Sequence, residues 1–447
     1  MKKLPLVLSL LLIAGFIQRS AAQEVITIQQ AIEKTLNNNL QVKKAELSES
    51  LADENLKQAK LALYPTLSAG ISQSMAWGRN NSGTSGIYEN TQNYNFGPDA
   101  SAGVDLFNGF SKINQIRQNK VLLESGKAST EKLKNDLTLQ VITSYLDILY
   151  NKDRLKAAQQ QLVVSQEQLT QQQELLNVGN KTLADVAESR SLVATAELDV
   201  TTATNALTIS YLTLAQLMDI PSATRYDIQA PVLSSFNKPS TNYNPEQVYS
   251  ESMRIFPDIK LAGLQTEVAK RGIDIAKGSL YPRLSLSGGY GTGYFYNYNA
   301  RPENPNVAFG KQIENNISKR VGMSLSIPIF NGLQARSGVT RARINLQQFQ
   351  ADEQLAKNNL NKIIYQAVAD LKAAESTYES TTKTFNARQE AFAVIEQRYN
   401  VGLVNSLDYS TSLTNRNRAE IDNIRAKYDL LFKAKVIDYY LGKQIIF

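Results

Sequence analysis

Four short stretches of the chain alternate apolar and polar residues with a period of two. Leu67, Ala69, Ile71, Met75 and Trp77 alternate with Ser68, Gly70, Ser72 and Ser74, and Ala100, Ala102, Val104 and Leu106 with Ser101, Gly103 and Asp105. Further on, Leu284, Leu286, Tyr290, Tyr294 and Tyr296 oppose Ser285, Ser287, Gly289, Gly291 and Gly293. Last, Val321, Met323, Leu325, Ile327 and Ile329 oppose Gly322, Ser324 and Ser326. The pattern predicts strands at about 66–77, 96–107, 284–296 and 321–330, paired through polar loops at 78–93 and 297–317. Alternation of this length, flanked by aromatic residues, is that of a membrane β-strand with lipid on one side and water on the other. A half-buried soluble sheet is the competing reading, but polar faces made almost wholly of Ser and Gly suit a crowded or open lumen.

The rest of the chain is helical in character. No proline interrupts 111–177 or 333–400, so each is expected to be one helix of about 100 Å at 1.5 Å per residue. Shorter helical stretches are expected at 27–63, 180–218, 245–280 and 403–441. Val141, Ile148, Leu155, Leu162, Leu169 and Leu176 repeat every seven residues, and so do Ile364, Leu371, Tyr378, Phe385, Phe392 and Tyr399. That period marks supercoiled packing. The companion row Lys152, Gln159, Gln166, Gln173 is polar, which fits a hollow helical barrel with a wet lumen better than a solid coiled coil. Val178-Gly179 and Val401-Gly402 follow the long helices, where glycine allows the left-handed residue that ends a helix. Two equivalent helix–turn–helix tips follow.

These features occur twice. Tyr64-Pro65-Thr66-Leu67-Ser68 returns as Tyr281-Pro282-Arg283-Leu284-Ser285; Phe107-Asn108-Gly109 returns as Phe330-Asn331-Gly332, and Asn177-Val178-Gly179 as Asn400-Val401-Gly402. Asp185 and Asp408 keep the same offset as the last two pairs. The expected organisation is a first repeat over 23–219 and a second over 245–447. A linker at 220–244, containing Pro221, Pro231 and Pro239, would form an equatorial segment.

Composition narrows the function. The 447 residues include no cysteine and no histidine, which removes disulfides, thiol nucleophiles, the usual zinc ligands and the usual general base near neutral pH. No constellation for catalysis, cofactor or metal is apparent, and the expectation is a protein that is not an enzyme. Residues 1–22 read as a secretory signal peptide: Lys2 and Lys3, an apolar run from Leu4 to Ile17, then Ser20-Ala21-Ala22. The net charge of +7 falls to about +4 without Lys2, Lys3 and Arg19, and no basic stripe suggests nucleic acid. Gly288-Gly289-Tyr290-Gly291-Thr292-Gly293 lacks phosphate-loop spacing. With no other run long enough for a membrane helix, entry into a membrane would be as a β-barrel.

Arg398-Tyr399-Asn400-Val401-Gly402 followed by Leu407-Asp408, with the doubled Tyr-Pro-x-Leu-Ser and Phe-Asn-Gly motifs, resembles the TolC-like outer-membrane efflux protein family along the whole mature chain. The resemblance implies a mostly α fold with a small membrane β part and two internal repeats. Four antiparallel strands per subunit would contribute to a trimeric 12-stranded β-barrel, above a long-helix α-barrel in the periplasm of a Gram-negative cell. Independently, four strands are too few to close a membrane barrel, whose minimum is about eight. The implied function is the outer-membrane exit duct of a tripartite efflux or type I secretion system. The implied partners are outer-membrane lipid, a periplasmic adaptor (membrane fusion) protein docked at Val178, Gly179, Val401 and Gly402, and through it an inner-membrane pump. Carried over by position, the periplasmic gate would comprise Asp408, Tyr399 and Asp185. Val404 and Thr411 stand where well-studied members carry an arginine and a second aspartate, which would leave one charge ring. A stand-alone porin-like channel and a periplasmic coiled-coil scaffold are the rival readings.

Overall fold

The computed structural model describes residues 24–81, 88–221, 226–230, 242–300, 302 and 305–443. The expected signal peptide at 1–22 and most of the linker at 220–244 lie outside them. The chain divides into two compact units, one of residues 1–46, 129–259 and 356–447, the other of 47–128 and 260–355.

In chain order the first unit begins with β1 (Glu24–Ile26), α1 (Ile28–Asn38) and the start of α2 (Leu40–Leu61). The second unit then supplies β2 (Thr66–Asn81) and β3 (Tyr88–Asn108), and α3 (Ser111–Asn177) leads back to α4 (Leu183–Leu217), β4 (Tyr226–Ile228) and α5 (Pro245–Ile255). Next come α6 (Pro257–Gly278), β5 (Arg283–Gly291), β6 (Tyr294–Asn297), α7 (Phe309–Asn315) and β7 (Ser318–Ser326). Last are α8 (Gln334–Asn400) and α9 (Ser406–Tyr440).

The second unit holds an antiparallel sheet ordered β2-β3-β5-β7, with β6 continuing along β3. Its register puts Leu67, Ile71 and Met75 on one face with Ala102, Pro98 and Tyr94, and carries that face through Leu286 to Met323. Ser68, Ser101, Ser287 and Ser324 share the other face, where the Ser68 and Ser101 hydroxyls meet at 2.9 Å. The apolar face is uncovered in the subunit: Leu67 is 80% and Val321 84% exposed. Among the described residues both outer edges, β2 and β7, lack a pairing strand.

The expected loop at 78–93 is largely strand, because β2 runs on to Asn81 and β3 begins at Tyr88, with Trp77–Asn81 paired to Tyr88–Gln92. Three further departures from the expected strands have local causes. Thr292 and Gly293 interrupt the third strand, giving β5 and β6. The fourth ends at Ser326 instead of 330, ahead of Pro328, which has no N–H to give a ladder. A bulge at Asp105–Phe107 takes Leu106 out of the alternation and puts Phe107 opposite Leu284. The loop at 297–317 contains α7, tied down by side-chain amides: Asn306 bonds both N–H and C=O of Asn297, and Gln312 those of Phe295. Each strand-to-helix crossing uses two successive left-handed residues, Gly109-Phe110 and Gly332-Leu333. A side chain at 109 would also collide with the Gly278 carbonyl oxygen.

The first unit is helical with one small parallel sheet, β1 on β4. Its largest core packs Ile26, Ile28 and Ala31 against Val141, Ile142, Ile148, Leu214 and Met218. A second core joins Val248 to Ile364, Leu371, Leu430 and Ile437. The heptad stripe is therefore fully buried at Val141, Ile148, Ile364 and Leu371, and only half-buried from Leu155 to Leu176. α4 and α9 approach closely, as buried Ala196, Ala203, Ala419 and Ala426 permit. Two stretches expected as single helices are each divided. Asn39 stops α1 with an extended backbone and donates to the Leu217 carbonyl at 3.0 Å. Phe256, also extended, precedes Pro257, whose ring disfavours a helical residue before it.

Candidate functional site

The two helix hairpin tips, both in the first unit, are built by the same local rules. At the end of α3 the Gly179 N–H donates to the Leu176 carbonyl (2.9 Å) and the Asn180 N–H to that of Leu175 (2.8 Å). At the end of α8 the Gly402 N–H donates to Tyr399 (3.0 Å) and the Leu403 N–H to Arg398 (2.8 Å). This doubled bond closes a helix around a left-handed glycine, and φ is +80° at Gly179 and +76° at Gly402. The returning helices start on side-chain caps. Thr182 accepts from the Asp185 N–H at 3.2 Å while the Asp185 carboxylate accepts from the Thr182 N–H at 3.0 Å and its hydroxyl at 2.8 Å. Asn405 accepts from the Asp408 N–H at 2.8 Å.

The three proposed gate residues are placed differently. Tyr399 is 3% exposed; its ring stacks on Tyr409 at 4.7 Å and 25°, amid Leu413, Phe392, Ile395 and Val404. The Lys181 ammonium lies 4.3 Å from the Tyr399 ring centroid, a cation–π contact. Burial raises the Tyr399 hydroxyl pKa and the Asp185 charge adds to the rise, together outweighing the opposing effect of the nearby Gln168 amide. Asp185 belongs to the same cluster. Burial pushes its carboxyl pKa up, but the Thr182 N–H and hydroxyl, the Ser406 hydroxyl and the Lys181 charge outweigh this and hold it below the usual carboxylate range. Asp408 stands apart, exposed on the first turn of α9, with no partner for its carboxylate among the described residues. Tyr399 and Asp185 therefore link the two tips of one subunit, whereas Asp408 takes no part in that contact and is solvent-exposed.

At the tips Val178 and Val401 are exposed, and so are Leu183, Leu403 and Leu407. The last three were not anticipated, nor were Gln168, Lys181, Ser406 and Tyr409. The leucines carried a signal: each sits within five residues of a tip glycine, where a reversing chain has no apolar neighbour to cover it. Among the described residues no group of His, Cys, Asp or Glu is placed to hold a metal, and no helix is long and apolar enough to cross a membrane.

The family model described as outer membrane efflux protein matches residues 31–219 and 248–443. The chain belongs to the outer membrane efflux protein family. It is 22% identical over 436 residues to the outer membrane efflux protein BepC of Brucella suis, covering 95% of this chain and 87% of that one. It is 23% identical over 436 residues to outer membrane protein TolC of Escherichia coli, with 96% and 84% covered. Among solved structures, the CmeC outer membrane channel of Campylobacter jejuni superposes with a TM-score of 0.77 at 17% identity, over 93% of this chain and 85% of that one. As a family member the protein is an efflux channel of the outer membrane, and the family is one of transport channels rather than of enzymes.

Proposed function

We propose that this chain is the homotrimeric exit duct of a tripartite efflux or type I secretion system, passively conducting what an inner-membrane pump and a periplasmic adaptor deliver. One observation carries the reading. A sheet with two open edges and an uncovered apolar face occurs in the same chain as two 67-residue helices ending in twin tips. The sheet needs further copies to close in lipid, giving twelve main strands from three subunits. The helices would line a periplasmic duct. Exposed Val178, Leu183, Val401, Leu403 and Leu407 give each tip an apolar surface beside left-handed Gly179 and Gly402, and there the adaptor would dock.

The gate reading divides the work among the predicted residues. Three copies of Asp408, unpaired in the subunit, would ring the narrow opening, favouring cations and penalising anions. Asp185 and Tyr399, bridged by Lys181 and Ser406, would latch the first tip to the second. Since Val404 and Thr411 carry no charge, one acidic ring is expected.

In-cell photocrosslinking from position 401 tests the function. Capture of a periplasmic adaptor supports the duct. A correctly inserted protein that captures none, and conducts freely in planar bilayers, would be a stand-alone porin-like channel instead.

A further inference from the structure

The sheet of the second unit keeps its charges apart. The face that carries Leu67, Ile71, Leu286 and Met323 continues on β2 through Met75 and Trp77 to Arg79, and on β7 through Val321 to Lys319. Among the described strand residues these are the only cations on that face, and no acidic position falls on it. Asp99, Asp105, Arg283 and Arg320 all fall on the serine face. Each of the two cations stands beside a tyrosine ring. The Arg79 guanidinium carbon is 5.9 Å from the Tyr88 centroid, and the Lys319 ammonium is 6.0 Å from that of Tyr290. Both cations are exposed, and neither has an ion pair within the subunit among the described residues.

Both pairs lie at the strand ends remote from the helices. β2 follows α2 at Thr66 and β7 leads toward α8 at Ser326, so their far ends are Asn81 and Ser318. From Leu67 to Arg79 the strand rises about 29 Å, at about 3.4 Å per residue and a tilt near 45°, which is about the thickness of a hydrocarbon core. Arg79 therefore emerges where the apolar band of this face ends. At the near ends the same face offers Leu67, Phe107, Leu284 and Leu325, with no cation.

We infer that Arg79 with Tyr88, and Lys319 with Tyr290, hold the phosphate groups of a glycolipid in the outer leaflet. This rests on the duct reading above, in which the helix-bearing strand ends face the periplasm, and it names the lipid held and the residues that hold it. A cation at the rim of a low-dielectric phase calls for an anion close by. The sheet face supplies none, so the partner comes from the lipid. Arginine meets phosphate with a forked pair of donors and lysine with a point charge, while the tyrosine ring keeps each cation at the rim. The placement is also one-sided. Phospholipid headgroups occur in both leaflets and would reward cations at both ends of the strands, whereas a phosphorylated glycolipid confined to the outer leaflet rewards them at the far end alone. β2 and β7 are the two edges of the sheet. Closure with further copies therefore brings one pair to each side of every seam.

The test uses the full chain, reconstituted in phosphatidylethanolamine vesicles that contain lipid A, lipid A stripped of its phosphates, or phosphatidylglycerol. Lipid kept on re-extraction in mild detergent is counted by native mass spectrometry. Wild type should keep lipid A about tenfold better than either alternative, the worth of one charge-assisted hydrogen bond. Arg79→Gln with Lys319→Gln should lower lipid A to the level of the other two. Arg79→Lys with Lys319→Arg should keep most of it, since both side chains change while both charges stay. Equal retention of dephosphorylated lipid A or of phosphatidylglycerol by wild type would overturn the site, and so would unchanged retention in the glutamine variant. If the glutamine variant does not insert, the three-lipid comparison on wild type decides alone. A wild-type chain that is monomeric by native mass, or that stays out of the vesicles, would remove the duct reading and the site with it.

Discussion

At the scale of single residues, the tips separate backbone demands from side-chain demands. Gly179 and Gly402 have left-handed φ and open space around the missing Cβ. Gly179→Ala and Gly402→Ala should each cost about 1–2 kcal/mol, for the backbone alone, read as faster hydrogen exchange confined to the affected tip. Gly109→Ala adds a collision with the Gly278 carbonyl and should cost clearly more in thermal unfolding. Asp185 gives the tips a pH dependence of defined sign. Its folded pKa is depressed, so its contribution is complete above the ordinary aspartate value of about 3.9 and fades as pH falls through the depressed value. Acidification below about pH 4 should therefore loosen the tips, measured as protease cleavage after brief acid exposure. Asp185→Asn should abolish that dependence while keeping the helix cap. If the acid response survives in Asp185→Asn, the latch lies elsewhere.

At the scale of elements, periodicity made most of the architecture legible and local exceptions hid the rest. The long helices appear where an unbroken seven-residue repeat and two glycines bounded them, at Ser111–Asn177 and Gln334–Asn400. The bulge at Asp105–Phe107 was invisible because Leu106 fits a period of two as well as Phe107 fits the bulged ladder. Asn39 was missed because its break depends on the Leu217 carbonyl, far away in sequence. The β1–β4 pair escaped for the same reason: three residues make no detectable period, and their pairing spans some 200 positions. That pair is held from outside. The Tyr145 hydroxyl lies 2.7 Å from the Gln229 carbonyl and 3.1 Å from that of Ile26. Asp227 accepts from Lys152 at 2.6 Å and Tyr211 at 2.7 Å. Tyr145→Phe leaves two carbonyls without that donor, at a cost of about 1–3 kcal/mol. Thermal denaturation should show the loss, with no change in single-channel conductance.

At the scale of the whole molecule, the sequence motifs recur in two copies, yet the two tips are not chemically equal. Around the second tip, Phe392, Tyr399 and Tyr409 make an aromatic cluster; the equivalent first-copy positions are Leu169, Leu176 and Val186. Alignment of the copies reveals the substitution but not its consequence, because the contact with Lys181 and Asp185 joins one copy to the other. Asp408 is the complementary case. It is exposed and, among the described residues of one subunit, its carboxylate has no partner, so under the trimeric proposal its role would come from symmetry copies. Three carboxylates converging on a narrow opening would raise local cation concentration and hold divalent ions most strongly. Asp408→Ala should weaken block by divalent cations and reduce cation selectivity in planar bilayers. Asp185→Asn should leave the block intact and raise the open fraction, since it frees the tips without touching the ring. Equal behaviour of the two variants would mean that filter and latch are one device, and unchanged block in Asp408→Ala would remove the ring.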